Sequence, residues 1–171
     1  MEWEPEQGTA LIIAAERNDF KSCEVLIKSV LRGLEGKSEK EESNQFGTWV
    51  NKFHRNRTAL HIAAKNGNVN IIKLLVQNQA DYFLLAEDGT NVLHTSAFCE
   101  EPFSVVYFIE KGVPVDIQDG QGRTALHHAA LQVNDDVIKY LIGFEANLNV
   151  KDNSGKTPLH LAVESYNNKT T

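Results

Sequence analysis

Apolar and polar positions along the chain follow two superposed periods, and the shorter one is helical. Ile71, Ile72, Leu74 and Leu75 are apolar at the spacing that puts one face of a helix inside a core. Moving on by 33 residues gives Ser104, Val105, Tyr107 and Phe108, and 33 more gives Val137, Ile138, Tyr140 and Leu141. Earlier, Cys23, Val25, Leu26, Ile27, Val30 and Leu31 predict a helix over 20–34. A shorter helical string with an alanine pair, or its relic, precedes each of these stretches: Ala14-Ala15, Ala63-Ala64, Ser96-Ala97 and Ala129-Ala130, with Ala162-Val163 near the end. Brief breaks such as Asn66-Gly67 separate the paired helices, and segments such as 112–116 and 145–149 close the units with turn residues and extended polar chain. The predicted unit is therefore helix, tight turn, helix, extended finger.

The longer period is fixed by histidines. His61, His94, His127 and His160 stand 33 residues apart, each ending a similar string: Thr58-Ala59-Leu60-His61, Asn91-Val92-Leu93-His94, Thr124-Ala125-Leu126-His127 and Thr157-Pro158-Leu159-His160. A weaker first copy, Thr9-Ala10-Leu11-Ile12, lies 49 residues before Thr58, one period plus an insertion of 16. Threonine, or Asn91 in its place, at the head of a first helix suits an N-cap, and proline in the next position suits the first helical turn. Asp119 and Asp152, each three residues before a glycine, suit the tight turn of a finger.

These strings and this period resemble the ankyrin-repeat family, over about residues 8–166. The resemblance implies an all-α fold, an ankyrin-repeat solenoid of stacked helix–turn–helix units with projecting β-hairpin-like fingers. It implies a single domain over 1–171, with repeat 1 at about 8–34, a polar insertion at about 35–48, and repeats 2, 3 and 4 at about 56–81, 89–114 and 122–147. A partial fifth repeat follows at about 155–166. It also implies a non-enzymatic protein-binding module that uses finger tips and the concave face of the first helices. Two departures stand out. The first copy lacks the histidine, which suits a capping repeat, and the fifth lacks a second helix, so the expectation is a chain cut from a longer protein or one that pairs with something there.

Composition narrows the function. Seventeen basic residues against 23 acidic give a net charge of −6, a poor basis for nucleic-acid binding. No run of apolar residues is long enough to span a membrane. The two cysteines, Cys23 and Cys99, fall in different repeats and fit a reducing compartment, cytoplasm or nucleus, or a host cytosol for a pathogen's protein. No cofactor is expected. Zinc needs its ligand nitrogens about 2 Å from one point, whereas equivalent residues of stacked helices stand roughly 10 Å apart. Each periodic histidine is instead expected to bridge its own helix start and the neighbouring finger. Glu100 and Glu101, adjacent in sequence, point apart on a helix.

The expected partner is another protein, bound by a monomer. The run from Glu35 to Gln45 is polar and free of apolar residues, and it reads as an exposed loop. Trp49 after it, if exposed, is a candidate hot spot. The first finger carries Lys52, Arg55 and Arg57 with no acid, and the second carries Asp81, Glu87 and Asp88 with no base, a pattern suited to steering a protein partner. In the second finger, register turns Tyr82 and Leu84 inward and leaves Phe83 and Leu85 outside. On the first-helix face, Phe98 and Leu131 stand where sibling repeats carry Lys65 and Glu164. The candidate contact residues are thus Trp49, Arg55, Arg57, Phe83, Leu85, Phe98, His128, Leu131 and Gln132. Three other roles fit the same module: a regulatory N-terminal domain of a larger enzyme or channel, a host-targeted effector, and an NF-κB-inhibitor-like masking protein.

Overall fold

The computed structural model describes residues 6–99 and 102–169, and its described residues form ten helices and no strand. The acidic start and the Glu100-Glu101 pair lie outside them. The chain divides into two compact units, residues 1–63 with 68–81, and residues 64–67 with 82–171.

In the first unit, α1 (Glu6–Glu16) packs on α2 (Phe20–Leu34), the span that periodicity predicts. Asp19 caps α2 by accepting the Ser22 N–H at 3.0 Å. One face of α2 buries Cys23, Ile27, Val30 and Leu34, each such aliphatic side chain contributing about 1.5–3 kcal/mol. The polar insertion is not a loop. Residues Glu39–Val50 form a further helix, α3, which packs on α1 and α2. Its start is a capping box: the Glu41 carboxylate accepts both the backbone N–H and the hydroxyl of Ser38. Glu39, Glu41 and Glu42 complement the dipole in its first turn. Its far end supplies Phe46, Trp49 and Val50, spaced as one buried face, with the two aromatic rings 5.6 Å apart. Helices α4 (Ala59–Lys65), whose last two residues are counted with the second unit, and α5 (Val69–Gln77) follow, with Asn68 capping α5 through the Ile71 N–H.

The second unit holds α6 (Val92–Ser96), α7 (Phe103–Glu110), α8 (Ala125–Gln132), α9 (Asp135–Gly143) and α10 (Pro158–Lys169). Within it α6 packs on α7 and α8, α7 on α9, and α8 on both α9 and α10. Val92, Leu93, Val105, Phe108, Leu126, Val137 and Leu141 form its core.

The turn between α8 and α9 stores strain. Val133 sits at φ 58°, where a β-branched side chain crowds the backbone, and Gly67 occupies the equivalent place in an earlier repeat at φ 68°. Val133→Gly is expected to stabilise the protein by about 1 kcal/mol despite the entropy glycine adds to the unfolded chain. Urea denaturation measures this, and an unchanged or lowered midpoint would show that the turn is unstrained.

Candidate functional site

The periodic histidines define the frame on which any contact surface is built. The hydroxyls of Thr124 and Thr157 donate to Nδ1 of His127 and His160 at 3.0 and 2.7 Å. In α6, the Asn91 N–H donates to His94 Nδ1 at 3.1 Å. That leaves the proton on Nε2, which His94 directs at the carbonyls of Ile117 and Arg123, both 3.0 Å away. His127 likewise reaches the Lys156 carbonyl at 3.2 Å. Each of these two imidazoles joins its own helix start to the following finger, as expected, and both ring nitrogens are spent in doing so.

The fingers of the second unit interlock. Each closes with the same bonds: Ala86, Asp119 and Asp152 donate their N–H to the carbonyls of Thr90, Arg123 and Lys156, all at 2.8 Å. The Gly120 N–H then donates to the Asp88 carbonyl at 2.8 Å, and the Asn153 N–H to that of Gln121 at 2.9 Å. The Asp119 carboxylate also takes the N–H groups of Gln121 and Arg123 on Oδ1.

Phe83 and Leu85 are 53% and 51% exposed, alternating with the half-buried Tyr82 and Leu84. Phe98 is 42% exposed, Leu131 half-buried and Gln132 exposed. The Asn134 side chain donates to the Cys99 carbonyl, which sets the residue after Phe98 against the turn that follows Leu131 and Gln132. These five candidates therefore sit on one unit, with large apolar side chains open to solvent.

Two candidates do not sit where sequence reasoning put them. Trp49 is 4% exposed, locked on α3 against Phe46, because the segment that resembled a finger is a helix with that face turned inward. It offers no surface to a partner. His128 is 8% exposed and is not an open contact residue. Its Nε2–H donates to Asp119 Oδ2 at 2.8 Å, and its ring lies 5.4 Å from Phe98 and 5.5 Å from His94. Burial pushes the His128 imidazole below its usual range, against the opposing pull of Asp119. Burial would raise the Asp119 carboxyl, but the Arg123 N–H, the His128 ring and the Gln121 N–H outweigh it and hold the group low. His128 thus supports Phe98 from beneath and ties α8 to the finger at Asp119. Sibling copies carry Thr95 opposite Ala86 and Leu161 opposite Asp152, so neither can make this link.

The basic finger belongs to the first unit. His54 and Arg57 exchange two backbone bonds of 2.9 and 3.1 Å around Arg55 and Asn56, both left-handed at φ 48° and 63°. This is the geometry of a type I′ turn. Arg55 is exposed at the corner, and Arg57, half-buried, donates to the Asn56 carbonyl.

Among the described residues no helix is long and apolar enough to cross a membrane. Cys23 and Cys99 are both buried, and they are not bonded to each other as a disulfide.

The family model for ankyrin repeats matches residues 11–119 and 93–171. Mouse inversin is 37% identical over 91 residues, covering 52% of this chain and 9% of inversin. The palmitoyltransferase AKR1 of Eremothecium gossypii is 31% identical over 154 residues, covering 70% of this chain and 20% of the transferase. A Caenorhabditis elegans homologue of the transient receptor potential channel A1 is 32% identical over 130 residues, covering 76% of this chain and 9% of the channel protein. The chain thus spans a fifth or less of the length of these relatives. Ankyrin repeats are in general non-catalytic protein-interaction modules, and by its repeats and its helical fold this chain belongs to the ankyrin-repeat family.

Proposed function

We propose that the chain works as a non-enzymatic protein-binding module whose main contact surface is the second-unit face carrying Phe83, Leu85, Phe98, Leu131 and Gln132. The supporting observation is the presence of large apolar side chains, Phe83, Leu85 and Phe98 exposed and Leu131 half-buried, at positions that sibling repeats fill with polar ones: Phe98 and Leu131 against Lys65 and Glu164, and Phe83 and Leu85 against Asp116 and Gln118. Exposed apolar clusters of this kind mark interaction sites. Arg55 and Arg57, on the finger of the first unit, are secondary contacts. The repeat boundaries given above, with α3 in the insertion, define the module. It acts as a monomer in a reducing compartment, cytoplasm or nucleus, in line with its two cysteines lying in different repeats. A second reading, a regulatory segment of a larger enzyme or channel, draws on the small share of each relative that the chain covers.

The test is a cross-linking capture from cell lysate with the wild-type chain and a Phe98→Ser, Leu131→Ser double variant, its fold checked by circular dichroism. The variant is expected to lose at least about tenfold in affinity, about 1.4 kcal/mol. Equal capture by a folded variant would move the contact surface to α3 and the first finger.

A further inference from the structure

The stretch of sequence that carries these residues is acidic. Residues 82–136 carry nine acidic residues, Glu87, Asp88, Glu100, Glu101, Glu110, Asp116, Asp119, Asp135 and Asp136, against two basic ones, Lys111 and Arg123. That is a net −7 in a chain of −6, so everything outside this stretch sums to +1. Both bases are engaged, and Lys139, just beyond this stretch, pairs with Asp136 at 3.0 Å. Arg123 Nε faces the Asp152 carboxylate at 3.7 Å, and the Lys111 ammonium lies 5.7 Å from the centre of the Tyr107 ring.

A chain of contacts runs from the acidic second finger to Phe98. The Asp88 backbone carbonyl accepts the Gly120 N–H of the next finger while its carboxylate takes Thr90, Asp119 of that next finger holds His128, and the His128 ring lies against Phe98. Beyond Phe98, the Cys99 carbonyl takes the side chain of Asn134, the residue immediately before the exposed Asp135 and Asp136. Exposed Glu87 and Asp88 follow Phe83 and Leu85 in the second finger, after the buried Ala86. Exposed acidic residues are thus linked to Phe98 on the finger side, at Glu87 and Asp88, and on the turn side, at Asp135.

We propose that this face binds a cationic segment of a partner protein, one in which Lys or Arg residues stand beside large apolar side chains. The inference rests on the second-unit face being the contact surface. The apolar groups supply the anchors, and the acidic residues select and steer the charge. An acidic partner meets the same field as repulsion.

Two synthetic peptides test this, both with Leu and Phe at the same positions, one with Lys and Arg between them and the other with Glu. Each is labelled and titrated with the whole chain by fluorescence anisotropy. The basic peptide is expected to bind at least about tenfold more tightly than the acidic one. That advantage should shrink about tenfold between roughly 50 and 300 mM salt. Phe98→Ser with Leu131→Ser should abolish binding, and Glu87→Gln with Asp135→Asn, both exposed, should remove most of the preference. Equal binding of the two peptides, or no binding of the basic one, overturns the proposal. If the lysate partner is still lost with the Phe98 and Leu131 variant, the face stands and only its charge selectivity fails. If the basic peptide binds regardless of Phe98 and Leu131, the face itself is wrong, and this proposal falls with it.

Discussion

Gly89→Ala is expected to cost about 3 kcal/mol or more, whereas Gly155→Ala, the same change at the equivalent place two fingers later, should cost about 1 kcal/mol. Gly89, Gly122 and Gly155 lie 33 residues apart and have φ of 73°, 73° and 78°, so any side chain there carries the same left-handed strain. What differs is the space around them. A Cβ on Gly155 meets nothing within 4 Å. On Gly122 it would lie 2.5 Å from Asn153 Oδ1, part of a side chain that can move, and 3.0 Å from that residue's backbone nitrogen. On Gly89 it would lie 2.5 Å from the backbone nitrogen of Gly120 and 3.1 Å from the carbonyl carbon of Asp119. Backbone cannot step aside without breaking the Gly120 N–H bond to the Asp88 carbonyl. The expected order of loss is Gly89, then Gly122, then Gly155, read from urea midpoints followed by circular dichroism. Three equal losses would mean that the strained φ alone sets the cost and that the fingers do not interlock.

The same contrast shows what sequence can and cannot deliver. The 33-residue period, the span of α2, the roles of His94 and His127 and the outward turn of Phe83 and Leu85 are local or periodic properties, and each is legible in the string of residues. The α3 helix was signalled too: Ser38 and Glu41 have the spacing of a capping box, and Phe46, Trp49 and Val50 that of a buried helical face. Polar composition concealed it, because a helix that buries only its last turns has a charged and unremarkable start. The His128–Asp119 pair was out of reach for a different reason. The residues lie nine apart, on a helix and on the finger before it, and the periodicity that locates His127 says only that His128 points elsewhere. Burial of an imidazole beside a carboxylate depends on how a finger folds over a helix, and the sequence pattern does not encode that distance.

The second large effect is on pH dependence. Burial pushes the His94 imidazole down to about 4, with the neighbouring His128 adding to the shift, while Asp119 and the carbonyls of Arg123 and Ile117 oppose it. In the unfolded chain the same ring titrates near its ordinary 6.5. Between these values the unfolded state binds a proton that the folded state refuses. The contribution of neutral His94 is thus fully present above pH 6.5, declines as pH falls, and is gone by about pH 4. At about pH 5 the loss amounts to about 2 kcal/mol. Burial lowers His127 and His128 in the same direction, so the whole second unit should weaken with acid well before its carboxylates begin to protonate. Urea midpoints measured from pH 7.5 down to pH 5, against His94→Gln, isolate the share of this one ring. The variant starts less stable, because an amide cannot reproduce the bonds from Asn91 to the Ile117 and Arg123 carbonyls, but its stability should fall more gently with pH. Parallel curves for the two proteins would place the His94 proton affinity near that of a solvated imidazole. The bonds that join α6 to the following finger would then have to form without a neutral ring at their centre.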